Sequence, residues 1–482
     1  MDAHWDLPSL RGTVRLGGPN KPKLNAVTVY DVEFYPYTLP GVDAVFAVCG
    51  GPHVIVCRCV LAKDRTIDII YWSENELEPV SYNSLAWSQA GNGDPLLCVA
   101  GDGFHQIKVL NIKTHELVAT LLGHGDNIND LAVSPADPTL LASCSKDHTV
   151  RIWSLDPAHK EKPLAAICYG QGHKSEILTI AYHRNGRFIM SAGMDTKLIM
   201  WLLPDDLANH VGTDKPALVH YPHFSTTEVH TDFIDCVQWY NDLIFSHACR
   251  ENKIILWKID GFSSDSSSIP DAPVPTSTAI RSTTPVTVPA NSTSTTRSAW
   301  GGRFQRLLQF HLPNTYQFYI RFSIFHELGR HPILAAGNER SKAFFWDLQR
   351  LEDAGTGDDG SQGSRAGPLG LPQHIREASV SSNASSAMSA GSGTTKTKTK
   401  KKKKTKEQPL DKGIADPFLS IRAHKIIEVP KYLAFPFRHF SWSRDGQWCV
   451  GVGDSGLVNV FHRWEKGVPP IKTESGIDLP FR

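Results

Sequence analysis

Apolar and polar residues alternate with a period of two through most of the chain, and turn formers break the alternation every few residues. The clearest stretch is Gly123 to Trp153, GHGDNINDLAVSPADPTLLASCSKDHTVRIW. An alternating run is followed by a Pro-containing turn, a strand of small residues, a tight turn at Asp147 and a last run that ends on Trp153. Gly172 to Trp201, GHKSEILTIAYHRNGRFIMSAGMDTKLIMW, repeats that order with Asn-Gly at the first turn and Asp195 at the second. Period-two patterning in short runs between turn signals predicts β-strands. No run reaches the roughly 18 apolar residues of a membrane-spanning helix, and the N-terminal MDAHWDLPSLRGTVRL lacks the apolar core of a signal peptide.

Both segments open on Gly-His and close on a Trp six residues after the turn Asp. That pairing, in units of about 40 to 50 residues, is the signature of the WD repeat, one blade of a β-propeller. In such a blade the Trp indole N–H, a strand Ser, the imidazole and the turn Asp form one buried hydrogen-bond chain. Here the members are His124, Ser143, Asp147 and Trp153, and again His173, Ser191, Asp195 and Trp201. A satisfied buried network fixes strand register, so these residues read as structural rather than catalytic. Weaker copies follow. His230 to Trp257 keeps the His, Ser246 and the Trp, with Glu251 for the Asp. Tyr319 to Asp347 ends in Trp346-Asp347 without Gly-His, and Phe440 to Trp464 keeps a hairpin turn at Asp445-Gly446. Tyr82 to Ile112 has Leu110 where a Trp would stand, and Val29 to Val60 completes the set. The expectation is an all-β fold, a seven-bladed WD40 β-propeller with two disordered loop insertions; six or eight blades are the alternatives. A closed ring has no free sheet edge, and an N-terminal strand near Arg11 to Leu16 against the last blade would close it.

Composition changes this picture in two places. Phe262 to Ser298 is rich in Ser, Thr and Pro, and Glu352 to Lys412 passes from Gly/Asp/Ser-rich sequence to KTKTKKKKKTKEQ. Neither has the hydrophobic periodicity to offset the entropy of ordering, so both are expected as disordered loops between blades. The chain then divides into an N-terminal segment with the closing strand (1–28), blades 1 to 5 (29–261), a Ser/Thr/Pro-rich insertion (262–301), blade 6 (302–351), an insertion with the Lys-rich run (352–413), and blade 7 with a C-terminal tail (414–482). Formal net charge is +1, which favours no class of partner, but Lys396 to Lys406 concentrates positive charge. That run reads as a nuclear-import signal, as a weak, salt-sensitive contact to nucleic acid, or as a solvated linker. Nine cysteines without a Cys-x-x-Cys pair read as buried free thiols in a reducing compartment, cytosol or nucleus.

No phosphate loop, metal cluster or nucleophile–base pair stands out, so no cofactor, no metal and no catalytic residue is expected. Aromatic residues do precede the first strand-like run of several blades. Tyr30 precedes DVEF, Tyr82 precedes NSLAW, and Phe318-Tyr319 precedes IRFS. Equivalent positions in different blades surround one channel mouth. Rings converging there would make a cage for a methylated ammonium, held by cation–π attraction and desolvation; alternatively they pack the blade edges.

The two strong repeats, together with HFSTTEVHTDFIDCVQWYNDLIFSHACRENKIILWK, YIRFSIFHELGRHPILAAGNERSKAFFWDL and FSWSRDG, closely resemble the EED/ESC family of Polycomb WD-repeat proteins. The likeness covers Val29 to Trp464 apart from the insertions, and it includes residues between the signature positions. It implies a nuclear, non-catalytic scaffold and reader subunit of the Polycomb repressive histone methyltransferase complex. Such a subunit binds trimethyl-lysine on a repressive histone H3 tail through an aromatic cage and couples this to stimulation of the methyltransferase subunit. Carried over by position, Tyr30 stands where the family has Phe, Tyr319 matches its cage Tyr, Phe318 replaces its Trp, and Arg438 matches an Arg lining the pocket. The family's second-blade Tyr falls on Asn83, so Tyr82 joins the cage only with a one-residue shift. Implied partners are an Enhancer-of-zeste-type methyltransferase subunit, gripped on the opposite face, a Suppressor-of-zeste-type subunit and the methylated histone tail, with no membrane. The insertions depart from the usual pattern and point to a divergent, fungal member. Competing functions are a substrate adaptor of a ubiquitin ligase, which would present arginines to an acidic degron, and a histone-chaperone-type WD scaffold.

Overall fold

The period-two runs fold into seven sheets of four or five strands, a seven-bladed β-propeller. The computed structural model describes residues 7–16, 27–74, 81–274, 295–327, 329–355, 412–414, 416–429, 435–464, 471–472 and 478–479. Lys396 to Lys406 lies outside the described residues. The first strands of the blades are Asp31–Phe34, Ser81–Gln89, Ile128–Val133, Ile177–Tyr182, Ile234–Tyr240, Ser323–Phe325 and Phe437–Trp442. Each touches the next around the ring, and Asp31–Phe34 meets Phe437–Trp442. Ser9–Arg15 lies antiparallel to Leu457–His462 and supplies the outer strand of blade 7. Residues from near the two ends of the described chain are thereby locked into one sheet, and Leu457–His462 is no longer an edge strand, although Ser9–Arg15 becomes one, so the closed ring does keep outer edges.

Burial follows the alternation. Seven apolar clusters fill the seven boundaries between blades, for example Ala142, Ile152, Ile189 and Trp201 between blades 3 and 4. The inner strands are covered on both faces and carry buried residues at successive positions, as Phe188–Gly193 does throughout its length, whereas outer strands such as Ser9–Arg15 and Lys425–Glu428 alternate. Trp153, Trp201, Trp257 and Trp346 are buried almost completely. All nine cysteines are free and buried, and burial pushes the Cys168 thiol up to about 12.

Side chains also tie neighbouring blades along the channel wall. Ser441 Oγ accepts the Phe34 N–H at 3.0 Å, Asp31 Oδ2 accepts Leu85 N–H at 2.9 Å, Asp130 Oδ2 accepts Ile180 N–H at 3.0 Å and Gln238 Oε1 accepts Ile324 N–H at 3.1 Å. First strands have no sheet partner on the channel side, and these acceptors satisfy backbone donors that would otherwise be buried alone.

The blade boundaries need correcting against the sequence pattern. Residues 302–351 are not blade 6 alone: Phe304–His311 pairs with Lys253–Ile259 as the outer part of blade 5. Blade 6 opens at Ser323–Phe325 and takes its fourth strand, Lys425–Glu428, from beyond the second insertion. Both insertions thus interrupt a blade between its third and fourth strands. That connection runs at the rim, where lengthening a loop adds little closure entropy. Parts of both segments also hold structure. Arg297–Ser298 pairs with Phe224–Thr226, Phe262 and Trp300 pack at a centroid distance of 5.1 Å, and the helix Leu348–Gly355 buries Leu348 and Leu351.

Candidate functional site

Two groups of residues carry the chemistry singled out in the sequence, and they lie in different settings. In blade 3, His124 bonds Asp147 through Nδ1 at 2.8 Å and Ser143 through Nε2 at 2.7 Å, while Trp153 Nε1–H donates to Ser143 Oγ at 2.8 Å. A carboxylate on Nδ1 fixes the proton there, so Ser143 donates to Nε2 and accepts from the indole. Blade 4 repeats this with His173, Asp195, Ser191 and Trp201 at 2.9 Å throughout. Blade 5 has a third copy, His230, Glu251, Ser246 and Trp257, at 2.7, 2.7 and 3.0 Å. The glycine before the histidine has a packing reason: a Cβ on Gly172 would lie 2.5 Å from Trp201 Cη2. Burial alone would raise Asp147, but the bonds from His124, the Gly125 N–H and Thr149 hold its carboxyl well below the usual range. Ser143, Ser191 and Ser246 are completely buried and their oxygens are engaged, so no substrate reaches a Ser-His-Asp set here. These networks are structural.

At one end of the channel, Tyr30 of blade 1 and Tyr319 of blade 6 meet edge to face, ring centroids 6.0 Å apart and planes at 71°. Both are half-buried. Tyr319 has φ +57°, a left-handed conformation that costs a non-glycine residue energy. At this bend successive side chains diverge. Phe318 turns outward and stacks on Phe233 at 5.6 Å, while Tyr319 turns in toward Tyr30. Arg438 of blade 7 lies 5.8 Å from the Tyr30 ring centroid and is fixed by Asp454, at 2.8 and 3.1 Å, by the Phe318 carbonyl at 2.7 Å and by Gln317 Oε1 at 2.8 Å. The structure therefore brings Tyr30, Tyr319 and Arg438 together. Phe318 contributes its carbonyl to the wall rather than its ring.

Tyr82 does not join them. It is 5% exposed and packs with Cys49, Val54, Leu85 and Trp87 between blades 1 and 2. The reason is register. In four blades a glycine of the second strand backs onto the start of the first so closely that a Cβ would lie 2.0–2.2 Å from a carbonyl oxygen: Gly50 against Thr28, Gly101 against Ser81, Gly193 against Glu176 and Gly453 against Pro436. These contacts align Val29, Tyr82, Ile177 and Phe437 as one buried position. The next residues, Tyr30, Asn83, Leu178 and Arg438, share the mouth position, and at Asn83, Leu178 and Arg438 the strand register slips by one residue. Such bulges re-aim a side chain out of the sheet. By register, Asn83 rather than Tyr82 is the blade 2 equivalent of Tyr30.

Arg321 was not singled out by sequence, although it lies two residues after Tyr319. Its guanidinium sits 5.4 Å from the Tyr319 ring centroid and crosses to Asp130 Oδ1 at 2.9 Å and the Leu178 carbonyl at 3.1 Å. Tyr319 O–H donates to Asn129 Oδ1 at 3.4 Å. Below the rings lies a charged floor. Burial would raise Asp31, but His439 at 2.6 Å, Arg321 and the Leu85 N–H pull it below its ordinary value. Glu33 is instead pushed up to about 8 by burial and by the neighbouring carboxylates Asp31 and Asp130, against the Trp87 N–H. Among the described residues no group of three or more His, Cys, Asp or Glu is placed to hold a metal ion.

Comparison with known proteins agrees with this architecture. The WD domain, G-beta repeat family matches residues 115–154 and 165–201, which hold most of blades 3 and 4. Polycomb protein EED of Chaetomium thermophilum is 32% identical over 96% of this chain and 97% of that protein. Polycomb protein esc of Drosophila melanogaster is 33% identical over 48% of this chain and 57% of its own length. A chain of the C. thermophilum Polycomb repressive complex 2, solved apo in an autoinhibited state, matches with a TM-score of 0.76 and 33% identity over 96% of this chain and 99% of that one. A chain of the same complex solved with H3K27me3 and H3K27M gives 0.75 and 32%, again over 96% and 99%. The chain belongs to the EED/ESC family of Polycomb proteins, WD-repeat subunits of Polycomb repressive complex 2 that are not themselves enzymes.

Proposed function

We propose that this protein is the reader and scaffold of a nuclear histone methyltransferase complex, and that the Tyr30–Tyr319 mouth binds a methylated lysine of the histone H3 tail, the trimethyl form included. The observation that carries this reading is the meeting of two tyrosine rings from blades 1 and 6, on either side of blade 7, backed by guanidiniums held in place by carboxylates. A methylammonium that parts the rings gains cation–π attraction of about 0.5–2 kcal/mol per ring in a desolvated setting. The similar complex solved with H3K27me3 supports the ligand class. Partners in this reading are an Enhancer-of-zeste-type methyltransferase subunit, a Suppressor-of-zeste-type subunit and the tail peptide, with a weak nucleic-acid contact through Lys396 to Lys406. Occupancy of the mouth stimulates the methyltransferase, and linkage then demands that the stimulated complex bind the methylated tail differently from the unstimulated one. The ion pairs argue against the adaptor alternative: Arg321 and Arg438 are neutralised by Asp130 and Asp454 and do not face an acidic degron unpaired.

The test is a titration of the full chain with unmethylated and methylated H3 tail peptides beside Tyr319→Ala. The expected result is a preference for methylated peptide that the variant loses, and a matching loss of peptide-stimulated activity in the reconstituted complex. Equal binding of methylated and unmethylated peptides would overturn the reader.

A further inference from the structure

We infer that Asn83 makes this mouth favour dimethyl-lysine over trimethyl-lysine, an inference that rests on the methyl-lysine reading above. The glycine register puts Asn83 at the position that Tyr30 holds in blade 1 and Arg438 in blade 7. Around the ring, Asn83 stands between Tyr30 and the blade 3 residue Asn129. Both of these touch Tyr319, the first ring to ring at 6.0 Å and the second through the phenol hydroxyl at 3.4 Å. Asn83 thus occupies the part of the wall that lies between two residues in contact with the same tyrosine.

The state of its side chain points to a ligand. Asn83 is 5% exposed, and its Oδ1 is buried with no hydrogen-bond donor reaching it among the described residues. A buried acceptor left unsatisfied is costly, and such groups in native folds call for an explanation. A dimethylammonium supplies the missing donor. It carries one N–H, which loses its water on entering a desolvated site and must be satisfied there. Oδ1 accepting that N–H makes a charge-assisted hydrogen bond. A trimethylammonium has no N–H to give. Its third methyl faces an amide oxygen that stays unsatisfied, in a sector with no aromatic face to hold it. The amide therefore selects by the donor count of the ligand, while Tyr30 and Tyr319 select for methylation as such.

The experiment is calorimetric titration of the full chain with H3 tail peptides carrying unmethylated, monomethyl, dimethyl or trimethyl-lysine. The dimethyl peptide is expected to bind about tenfold more tightly than the trimethyl peptide, the worth of one charge-assisted hydrogen bond. Asn83→Leu keeps the branched shape, removes the acceptor and is expected to erase that difference. Asn83→Asp keeps an acceptor and the dimethyl preference, and it carries the test if the leucine variant does not fold. Tighter binding of trimethyl than dimethyl peptide by the unaltered protein, or a dimethyl preference that survives in Asn83→Leu or is lost in Asn83→Asp, overturns the role of Asn83 alone. Binding of the unmethylated peptide as tightly as the others overturns the methyl-lysine reading itself, and this inference with it.

Discussion

Arg321 of blade 6 and Asp130 of blade 3 form an ion pair across the channel at 2.9 Å, with side chains 5% and 8% exposed. The pair spans the ring rather than linking neighbours, so it fixes the channel diameter just below the tyrosine rings. Asp130 also accepts the Ile180 N–H and a hydroxyl hydrogen bond from Ser84, while Arg321 donates to the Leu178 carbonyl. Taking two charges out of water is expensive, and removing one partner strands the other.

Arg321→Met is therefore expected to destabilise the propeller by about 3 kcal/mol. In the double variant Arg321→Met/Asp130→Asn the second change should recover part of that loss, because the remaining group is no longer an unpaired buried carboxylate. Urea unfolding of the two variants and each single change gives the coupling. Simple additivity of the single effects would mean that the pair does not act as a unit.

The glycine contacts that set the register of the first strands make a second expectation. A Cβ at Gly101 would lie 2.0 Å from the Ser81 carbonyl oxygen, whereas one at Gly91 would meet nothing within 4 Å. Gly101→Ala must move backbone against backbone and is expected to cost about 2–3 kcal/mol. Gly91→Ala should be close to neutral. Thermal melts of both variants decide it, and equal melting temperatures would remove the register argument that separates Tyr82 from Asn83.

Protonation provides a third. Burial pulls His124 and His230 below the ordinary imidazole value, against the raising effect of Asp147 and Glu251, and burial with Arg184 pulls His326 down to about 4. Below about pH 6.5 the unfolded chain takes up protons that the native histidines refuse, so stability falls on acidification. Asp147, Asp195 and Glu251, held below their ordinary values, add a further loss below about pH 4. Glu33 acts in the opposite sense. With its native value near 8, it keeps a proton that the unfolded chain has released, so its contribution is full below the ordinary carboxylate value and disappears as pH rises to about 8. The melting temperature should peak near pH 6.5, and Glu33→Gln should flatten the fall from about pH 6.5 to 8 while leaving the acid limb in place. A melting temperature that rises steadily from pH 7 to 5 would contradict the histidine assignment.

Local pattern settled a good deal by itself. Gly-His, the small-residue strand, the turn Asp and the terminal Trp lie within one repeat, and their hydrogen bonds close within one sheet, as the 2.7–2.8 Å contacts of Ser143 illustrate. Such short-range chemistry is written in consecutive residues, so the strand class, the blade identity and the family could be read before any coordinates. Tyr30 and Tyr319 could be singled out because each lies just before a strand-like run, while Arg438 was singled out only through the resemblance to the family. What tertiary structure decided depends on packing between repeats. A period of two cannot say on which side of a bulge a side chain falls, and that one-residue question separates Tyr82 in the core from Asn83 at the mouth. The fourth strands of blades 5 and 6 are joined to their sheets across long insertions, and a strand's partner beyond a loop leaves no mark in its own alternation. Arg321 and Asp130 are 191 residues apart and meet because seven blades close into a ring. No property of either residue alone specifies the other, since their attraction exists only where the ring brings both charges out of water together.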